Sequence, residues 1–371
     1  MLKRILKIFL LLIFIIIGAA GLFVITLQVF EYHPADETVL TIDQNVENIE
    51  SNLVQLNQNI KIMTFNIGYA SLSETEDFVM DGGEKGRMDD QISVEANMEG
   101  IADIITDSAA NIYLLQEVDV DSDRSYNTKQ FSYFSELVDM PVTLGYNYRV
   151  IFVPFPFELG QMMGKVNSGI MTATQYYAED ATRVQLPGSF SWPLRLANLK
   201  RCATVTRLPI ANATQELIVI NVHLSAYDDG TMRIQEMAAL QTLMQTEYEK
   251  GNYVVVGGDF NQTFPGAFTN NSDDTVDYLY ELNDPAFWQA YGMDETWFIE
   301  NDWQFGIDVT NPTCRLLHQA YDSVNLENNQ YYLIDGFIVS PNIEIQTVTT
   351  RNENFKYSDH NPVEIIIKLI H

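Results

Sequence analysis

The segment Val254–Asn261 joins an apolar run to side chains that can do chemistry. Three valines and two glycines lead directly into Asp259-Phe260-Asn261, which predicts a buried strand that ends in a tight turn. Asp259 and Asn261 are two residues apart, so both side chains can face one site. A carboxylate and an amide there can hold a hard cation, position a water molecule and donate a hydrogen bond to a phosphate oxygen. An ordinary Asp/Asn turn after a strand would contain the same residues.

A second segment, Tyr357–Val363, places a carboxylate and an imidazole directly before the last predicted strand. Asp359 and His360 are adjacent, and the backbone that follows is stiffened by a proline. Upstream, Asp335 lies inside an apolar strand, where an unpaired charge is costly. We therefore expect Asp335 to have a partner, and an imidazole is the natural one. A role in capping a turn or strand end would explain each of these polar residues alone, but it explains poorly why all of them occur together.

Three further apolar runs end in polar side chains, which are Asn66, Glu117 and His223. A single histidine near a strand end is more often structural than catalytic. Glu117 suits Mg²⁺, which prefers oxygen ligands and keeps several waters. Arg233 and Gln235 open the helix after His223 and either point back to the same edge or lie in solvent.

The elements that must position these residues are short strands with fewer helices. The predicted strands are Ile60–Asn66, Ile112–Gln116, Tyr148–Val153, Gly169–Thr174, Ala203–Arg207, Leu217–Leu224, Tyr253–Gly257, Tyr332–Val339, Ile343–Thr350 and Val363–Leu369. Helical spacing of apolar residues covers Val94–Ile105 and Met232–Tyr248. This pattern favours a two-sheet α/β sandwich over a barrel. No later linker is evident, so residues 60–371 are predicted to form one catalytic domain.

Residues 1–30 predict a membrane anchor. Three basic residues precede an apolar run from Ile8 to about Phe30, which is long enough to cross a bilayer as a helix. The position of the basic residues places the N-terminus in the cytoplasm and the rest of the chain outside it, at the cell membrane. A cleaved signal peptide is the alternative, with a small-residue site at Gly18–Gly21. Residues 31–59 are polar and acidic and are predicted to be a stalk.

The net charge of −29 disfavours a long, tight complex with nucleic acid. Nonspecific duplex binding depends on lysine and arginine, and this chain has 21 of them against 50 acidic residues. Simple solubility outside a cell explains the acidity equally well. Cys202 and Cys314 are too few for a disulfide framework, and we expect two buried free thiols, although one disulfide could form.

Taken in order, these segments resemble the motifs of the endonuclease/exonuclease/phosphatase superfamily, which has the deoxyribonuclease-I-like fold. The resemblance covers residues 60–370. It implies a four-layered α/β sandwich, with two packed mixed β-sheets flanked by helices and the site at one sheet edge. It also implies a role for each matched residue: metal binding by Asn66, Glu117 and Asp359, catalysis by His223, Asp259, Asn261, Asp335 and His360, and, more loosely, phosphate contact by Arg201.

The implied activity is Mg²⁺-dependent hydrolysis of phosphodiesters or phosphomonoesters by in-line attack of water, with Mn²⁺ or Ca²⁺ as other metals that could serve. Asp259 or His360 would accept the water proton. The anchor and the acidity favour small or lipid-derived phosphates as substrates. An extracellular nuclease and a catalytically inactive phosphate-binding module are the alternatives. We expect a monomer that forms no stable nucleic-acid complex.

Some segments stay ambiguous at this level. The Gly-rich stretch Phe78–Arg87 is either a surface loop or a phosphate loop in which Lys85 and Arg87 supply charge. Arg124 is similarly open. The aromatic segments Phe152–Phe157 and Ser189–Trp192 either pack against the sandwich or form a lipid-facing rim.

Overall fold

The computed structural model describes residues 2–43, 49–158, 160–267, 288 and 290–370. Within them the helices are α1 (Leu2–Val29), α2 (Gln91–Ser108), α3 (Gln130–Val138), α4 (Thr231–Glu249) and α5 (Thr296–Glu300). The strands are β1 (Glu37–Val39), β2 (Asn59–Asn66), β3 (Ile112–Asp119), β4 (Val142–Val153), β5 (Gly164–Thr174), β6 (Asp180–Gln185), β7 (Cys202–Pro209), β8 (Glu216–His223), β9 (Tyr253–Asp259), β10 (Gln262–Thr263), β11 (Tyr291–Gly292), β12 (Gln304–Gly306), β13 (Cys314–Arg315), β14 (Tyr331–Tyr332), β15 (Asp335–Val339), β16 (Ile343–Thr350) and β17 (Val363–Leu369).

Most strands belong to two mixed sheets. One has seven strands in the order β1-β6-β7-β8-β9-β15-β12, and the other has six in the order β16-β17-β2-β3-β5-β4. The pair β8 and β9 is parallel in the first sheet, and the pair β2 and β3 is parallel in the second. The remaining pairs in both sheets are antiparallel.

The valine run of β9 shows why the sheets are covered on both faces. Val255 packs into the apolar cluster between the two sheets. Its neighbours Val254 and Val256 point the other way and pack with Leu240 of α4. The six-stranded sheet packs its outer face against α2 in the same manner. A strand that is buried on both faces has a continuous apolar sequence. The predicted four-layered α/β sandwich is therefore confirmed.

Strand register brings the polar strand ends to one edge of the sandwich. The parallel pairing of β8 and β9 sets His223 beside Asp259, and the antiparallel pairing of β15 sets Asp335 opposite Asp259. In the other sheet, β2 ends at Asn66, and the adjacent strand β3 has an irregularity in register that contains Glu117. The two parallel pairs thus direct their carboxyl ends, and the residues found there, to the same edge.

Gly258 allows the close approach of β8 and β9 at this edge. Its φ is +152°, which side chains rarely tolerate, and a Cβ atom there would clash with the carbonyl oxygen of Val222. We expect Gly258→Ala to lower the free energy of unfolding of the full chain by about 3 kcal/mol in chemical denaturation. Gly292→Ala is the matched control, because a Cβ atom there has no neighbour within 4 Å. Equal stability of the two variants would contradict the assignment of close packing to Gly258.

The described part of the 31–59 segment lies on the sandwich. β1 pairs with β6, so that Glu37 is opposite Val184 and the seven-stranded sheet gains its outermost strand. Val54 forms an isolated bridge with Ile210 farther along. The segment predicted to be a stalk is thus joined to the sandwich by main-chain pairing.

In the described part of the chain, α1 is the one helix that is long and apolar enough to cross a membrane. Most of it is exposed, but its C-terminal end contacts the sandwich. Leu27 is buried in an apolar cluster with Tyr148 and Leu196. Just after the helix, the buried carboxylate of Glu31 forms an ion pair of 2.9 Å with Lys200.

Candidate active site

Asp259 occupies the centre of a cluster of polar side chains at the shared sheet edge. The Asn66 side-chain amide donates a hydrogen bond of 3.0 Å to Asp259 Oδ2. The Nε2 atoms of His223 and His360 lie 3.5 Å and 3.8 Å from the same oxygen. Burial, and then the charge of Asp335, raise the pKa of Asp259 to about 6. Strands from both sheets therefore supply side chains to a single carboxylate.

Asp335 is paired with an imidazole, as the sequence predicted. Its Oδ2 atom lies 2.9 Å from His360 Nδ1, and both side chains are buried. Burial alone lowers the pKa of His360, but the charges of Asp335, Cys314 and Asp359 outweigh it, so the pKa lies well above its usual value. The pair fixes the orientation of the ring and directs Nε2 toward Asp259.

His223 has the opposite electrostatic character. Burial, and then the charges of Arg201, His360 and Arg124, lower its pKa well below the usual value. Its Nε2 atom lies 3.8 Å from Glu117 Oε1, and its Nδ1 atom is buried without a hydrogen-bond partner. The two histidines at this edge are thus driven toward different protonation states at neutral pH.

Glu117 is held in a strained backbone conformation. Its φ is +58°, in the left-handed region, and it lies where the register of β3 and β5 shifts between Leu115 and Val118. Such a conformation costs roughly 1–3 kcal/mol and persists where the surrounding structure imposes it, often at functional sites. The carboxylate Oε1 is 3.5 Å from the Asn66 amide. Burial is the main cause that raises the pKa of Glu117.

The chemistry of this set fits a hard divalent cation. Glu117 and Asp359 provide oxygen ligands, and burial is the first cause that raises the pKa of Asp359 to about 7. Asn66, predicted as a third ligand, instead turns its amide nitrogen toward the cluster, because its Oδ1 accepts a hydrogen bond of 3.0 Å from the Gly68 backbone N–H. Several buried carboxylates close together are unfavourable unless positive charge balances them. Asp259, Asp335 and His360 also have ligand atoms within 4.8 Å of one another. The acidic and histidine groups of this edge could therefore hold a metal ion.

Asn261 and Arg201 lie beside this cluster. The side-chain amide of Asn261 donates a hydrogen bond of 2.9 Å to the Leu224 carbonyl oxygen, and its backbone N–H donates one of 2.9 Å to Asp259 Oδ1. Arg201 Nη1 donates a hydrogen bond of 3.2 Å to the His223 carbonyl oxygen. Both side chains line the cavity above the cluster. All nine residues selected from the sequence therefore come together, although the side chains of Asn261 and Arg201 donate to backbone carbonyl groups.

Arg233 also points toward this edge. It is buried, forms an ion pair with Asp228 and donates a hydrogen bond of 3.3 Å to the Asn261 carbonyl oxygen. Gln235, two residues later, is exposed. Of the two alternatives, contact with the edge holds for Arg233 and solvent exposure holds for Gln235.

The ambiguous segment Phe78–Arg87 forms part of the cavity wall, through Phe78, Met80 and Asp81. Lys85 pairs with Glu76 and Asp89, at 3.0 Å and 2.9 Å. Its charge is therefore used locally, and the Arg87 guanidinium lies 4.3 Å from the centre of the Tyr126 ring. Neither side chain lines the cavity, which removes the support for a phosphate loop. The wall itself was not anticipated, because Asp81 accepts its hydrogen bonds from Tyr227 and from the backbone of Leu317, both remote in sequence.

Arg124 and Tyr69 complete the polar end of the cavity. The Arg124 guanidinium lies 3.7 Å from the centre of the Tyr69 ring and forms a buried ion pair of 2.8 Å with Asp119. The sequence did not single out Tyr69. Its position three residues after Asn66, next to Gly68, was the available signal. Cys314 is buried near His360, and both cysteines are free thiols, as predicted.

Comparison with known proteins identifies the family. Residues 63–360 match the model of the endonuclease/exonuclease/phosphatase family. No curated protein matches the chain. A solved endonuclease/exonuclease/phosphatase structure from Beutenbergia cavernae is similar, with a TM-score of 0.58, 16% identity and coverage of 85% of this chain and 72% of that one. One from Bacteroides vulgatus has a TM-score of 0.51, 16% identity and coverage of 84% and 100%. At this identity the two structures support the fold alone, and it is the family match over most of the sequence, together with the site at the sheet edge, that shows that the chain belongs to the endonuclease/exonuclease/phosphatase family.

Proposed function

We propose that the protein is a membrane-anchored, Mg²⁺-dependent hydrolase of phosphate esters that works outside the cytoplasm as a monomer. Members of its family are typically hydrolases that act on phosphoesters. The observation that carries the proposal is the convergence of Asn66, His223, Asp259 and the Asp335–His360 pair on one point at the edge of both sheets. A catalytically inactive binding module would not need all of these side chains.

In the proposed reaction, water attacks phosphorus in line, a new P–O bond forms and the ester P–O bond breaks. His360 has a raised pKa and keeps its proton at neutral pH, so Asp259 is the better acceptor for the proton of water. The Nε2–H group of His360 can then hold a phosphate oxygen as charge develops on it. The leaving oxygen takes up, through solvent, the proton that Asp259 accepted and departs as an alcohol, which returns Asp259 to its carboxylate form.

Glu117 and Asp359 would hold the cation, and the Asn66 amide would keep the Asp259 carboxylate in place beside it. When bound, Mg²⁺ supplies positive charge that stabilises the phosphate and leaving oxygens. Arg201 and Asn261, on the wall beside His223, are placed to orient the phosphate. His223 stays neutral because its pKa is lowered, so that it can donate a hydrogen bond without adding charge.

The length of the apolar run supports the anchor over a cleaved signal peptide. The run continues from Leu22 to Phe30, past the possible cleavage site at Gly18–Gly21, and its end is packed on the sandwich through Leu27. An intact α1 extends from this buried residue as one helix that is able to cross a membrane. Basic residues before it favour a cytoplasmic N-terminus.

Small or lipid-derived phosphates are the favoured substrates. The net charge of −29 opposes long contact with nucleic acid. The cavity above the site has a volume of about 790 Å³ and is lined largely by apolar side chains away from the cluster. Such a lining suits a compact or apolar leaving group better than a charged polymer.

One screen tests the proposal. The full chain, purified in amphipol with Mg²⁺, is incubated with bis(p-nitrophenyl) phosphate, nucleotides, sphingomyelin, phosphoinositides, plasmid DNA and RNA. We expect hydrolysis of the model diester and of at least one small or lipid phosphate. Activity on nucleic acid alone would support the nuclease alternative. If no substrate is hydrolysed and calorimetry detects no Mg²⁺ binding, the result would support the phosphate-binding module.

Metal binding should weaken as the pH falls. The pKa of Asp359 is raised to about 7, so this carboxyl gains a proton as the pH drops below that value. A protonated carboxyl must lose its proton to bind a cation, and we expect the Mg²⁺ Kd to rise roughly tenfold per pH unit below about 7. Calorimetric Mg²⁺ titrations between pH 5 and 8 measure this, and Asp359→Asn should flatten the profile. A Kd that does not change with pH would exclude Asp359 as a ligand.

A further inference from the structure

The cavity above the active site has two chemically different ends. The polar end contains the catalytic cluster with Arg124 and Arg201. The other end is apolar, and Val153, Phe155 and Leu199 are among the residues that line it. A phosphate group occupies only the polar end, so most of the 790 Å³ is left for the organic part of the substrate.

Part of the apolar wall comes from α1. Phe23, Val24 and Leu27, on the last two turns of that helix, line the same cavity as His223 and His360. The Phe23 ring packs edge-on against Phe152 of β4, with the ring centres 6.1 Å apart. The helix that would cross the bilayer is therefore also a wall of the active-site cavity.

Ion pairs hold the C-terminal end of α1 against the sandwich. The Glu31 side chain is 1% exposed and pairs with Lys200 at 2.9 Å and with Arg195 at 3.5 Å. Gln28, in the last turn of α1, donates a hydrogen bond of 2.9 Å to Glu31. Since a buried carboxylate is costly without partners, these cations hold the end of the helix against the sandwich.

Exposed apolar side chains lie near the same wall. Phe157 is 83% exposed, Trp192 is 60% exposed and Leu194 is 61% exposed, and Phe157 and Leu194 also line the cavity. Large exposed apolar and aromatic groups next to a membrane-crossing helix are typical of contact with the lipid interface. The aromatic segments therefore form a rim beside the helix, in addition to packing on the sandwich.

From these contacts we infer that the last two turns of α1 are part of the substrate site. The substrate is a phosphate-ester lipid from the membrane in which the protein is anchored, and its tail lies against Phe23, Val24 and Leu27. This inference rests on the proposed function and gives it a substrate class. The polar end of the cavity receives the headgroup phosphate, and the apolar end opens toward the bilayer beside the rim.

The test compares matched substrates that differ only in the tail. The full chain in amphipol with Mg²⁺ is assayed on octanoyl lysophosphatidylcholine against glycerophosphocholine, and on octanoyl lysophosphatidic acid against glycerol 3-phosphate, all as monomers. We expect kcat/KM to be at least about tenfold higher for the tailed member of the active pair, because each buried methylene contributes about fourfold. Equal values within the active pair would overturn the inference.

A substitution in α1 then locates the effect. Val24→Trp fills the apolar end and should lower kcat/KM for the tailed substrate by about tenfold, the value of roughly two displaced methylenes. The circular dichroism spectrum and the thermal midpoint of the variant should match those of the parent, which shows that the variant folds. Ile25→Trp is the matched control, because Ile25 is 60% exposed and does not line the cavity. Equal loss in both variants, or none in either, would overturn the role of α1.

The two proposals fail in different ways. If the parent protein hydrolyses bis(p-nitrophenyl) phosphate but gains nothing from a tail, the phosphoesterase function stands and the lipid inference falls. If nucleic acid is hydrolysed and no tailed substrate is, the lipid inference falls as well. If no phosphate ester is hydrolysed with Mg²⁺, the proposed function itself fails.

Discussion

Replacing His360 with alanine should lower kcat for a model phosphodiester by roughly 10²–10³-fold, the usual cost of removing a donor that stabilises charge developing in the transition state. His360 Nε2 faces Asp259, and its Nδ1 is held 2.9 Å from Asp335, so the ring is oriented before substrate arrives. Steady-state kinetics on bis(p-nitrophenyl) phosphate measure the loss, and circular dichroism checks the fold. An unchanged rate in a folded variant would remove His360 from the mechanism.

The variant Asp335→Asn tests whether Asp335 acts by positioning His360, without itself touching the substrate. The carboxylate of Asp335 opposes the effect of burial on the pKa of His360, so its loss should bring that pKa down. The substituted protein should therefore lose activity at a lower pH on the alkaline side than the parent does, with a smaller drop in kcat than His360→Ala causes. A purely structural role would lower stability without moving the pH profile.

Removing the charge of Glu117 should have the second large effect. We expect Glu117→Gln to lower kcat by about 10²–10³-fold, because a bound cation contributes several kcal/mol to charge stabilisation in the transition state. The Mg²⁺ concentration for half-maximal rate should rise as well. EDTA should abolish the activity of the parent, and added Mg²⁺ should restore it.

The control for Glu117→Gln is a carboxylate that is shielded from solvent but lies outside the site. Glu247 serves, because it is buried but pairs with Arg207 and Lys250 at the far end of α4. Glu247→Gln should reduce stability and leave the Mg²⁺ dependence unchanged. If Glu117→Gln retains the Mg²⁺ dependence of the parent, Glu117 is not a ligand.

Much of the fold follows from local sequence because its central strands are buried on both faces. The valines of β9 and the apolar runs of β2 and β8 indicate strands without knowledge of their partners. Asp335 shows where this reasoning meets its limit. The predicted strand Tyr332–Val339 is divided into β14 and β15, so that Asp335 is the first residue of β15. The apolar residues before it also pack on the sandwich, so the sequence shows no sign of the break between the two strands.

The site was predictable as a set of residues but not as a shape. Strand ends are local features, and parallel register then brings them together. The cavity walls depend on contacts between distant segments. Arg124 stacks on Tyr69, and Asp81 forms a hydrogen bond with Tyr227. The two members of each pair are far apart in the sequence, so the spacing of apolar residues does not predict these contacts. The nine-residue helix α3 was also missed, because it is too short for a clear apolar repeat.

The short strand β1 has a consequence for where this domain begins. It covers the outer edge of β6 with main-chain pairing from Glu37 to Val39, ahead of the family match that starts at residue 63. A fragment that starts at β2 would leave the amide and carbonyl groups along β6 unpaired. Such a bare edge is a template for strand addition, and therefore for self-association into aggregates. The segment between α1 and the sandwich therefore protects the sheet edge from aggregation, and it also connects the helix to the sandwich.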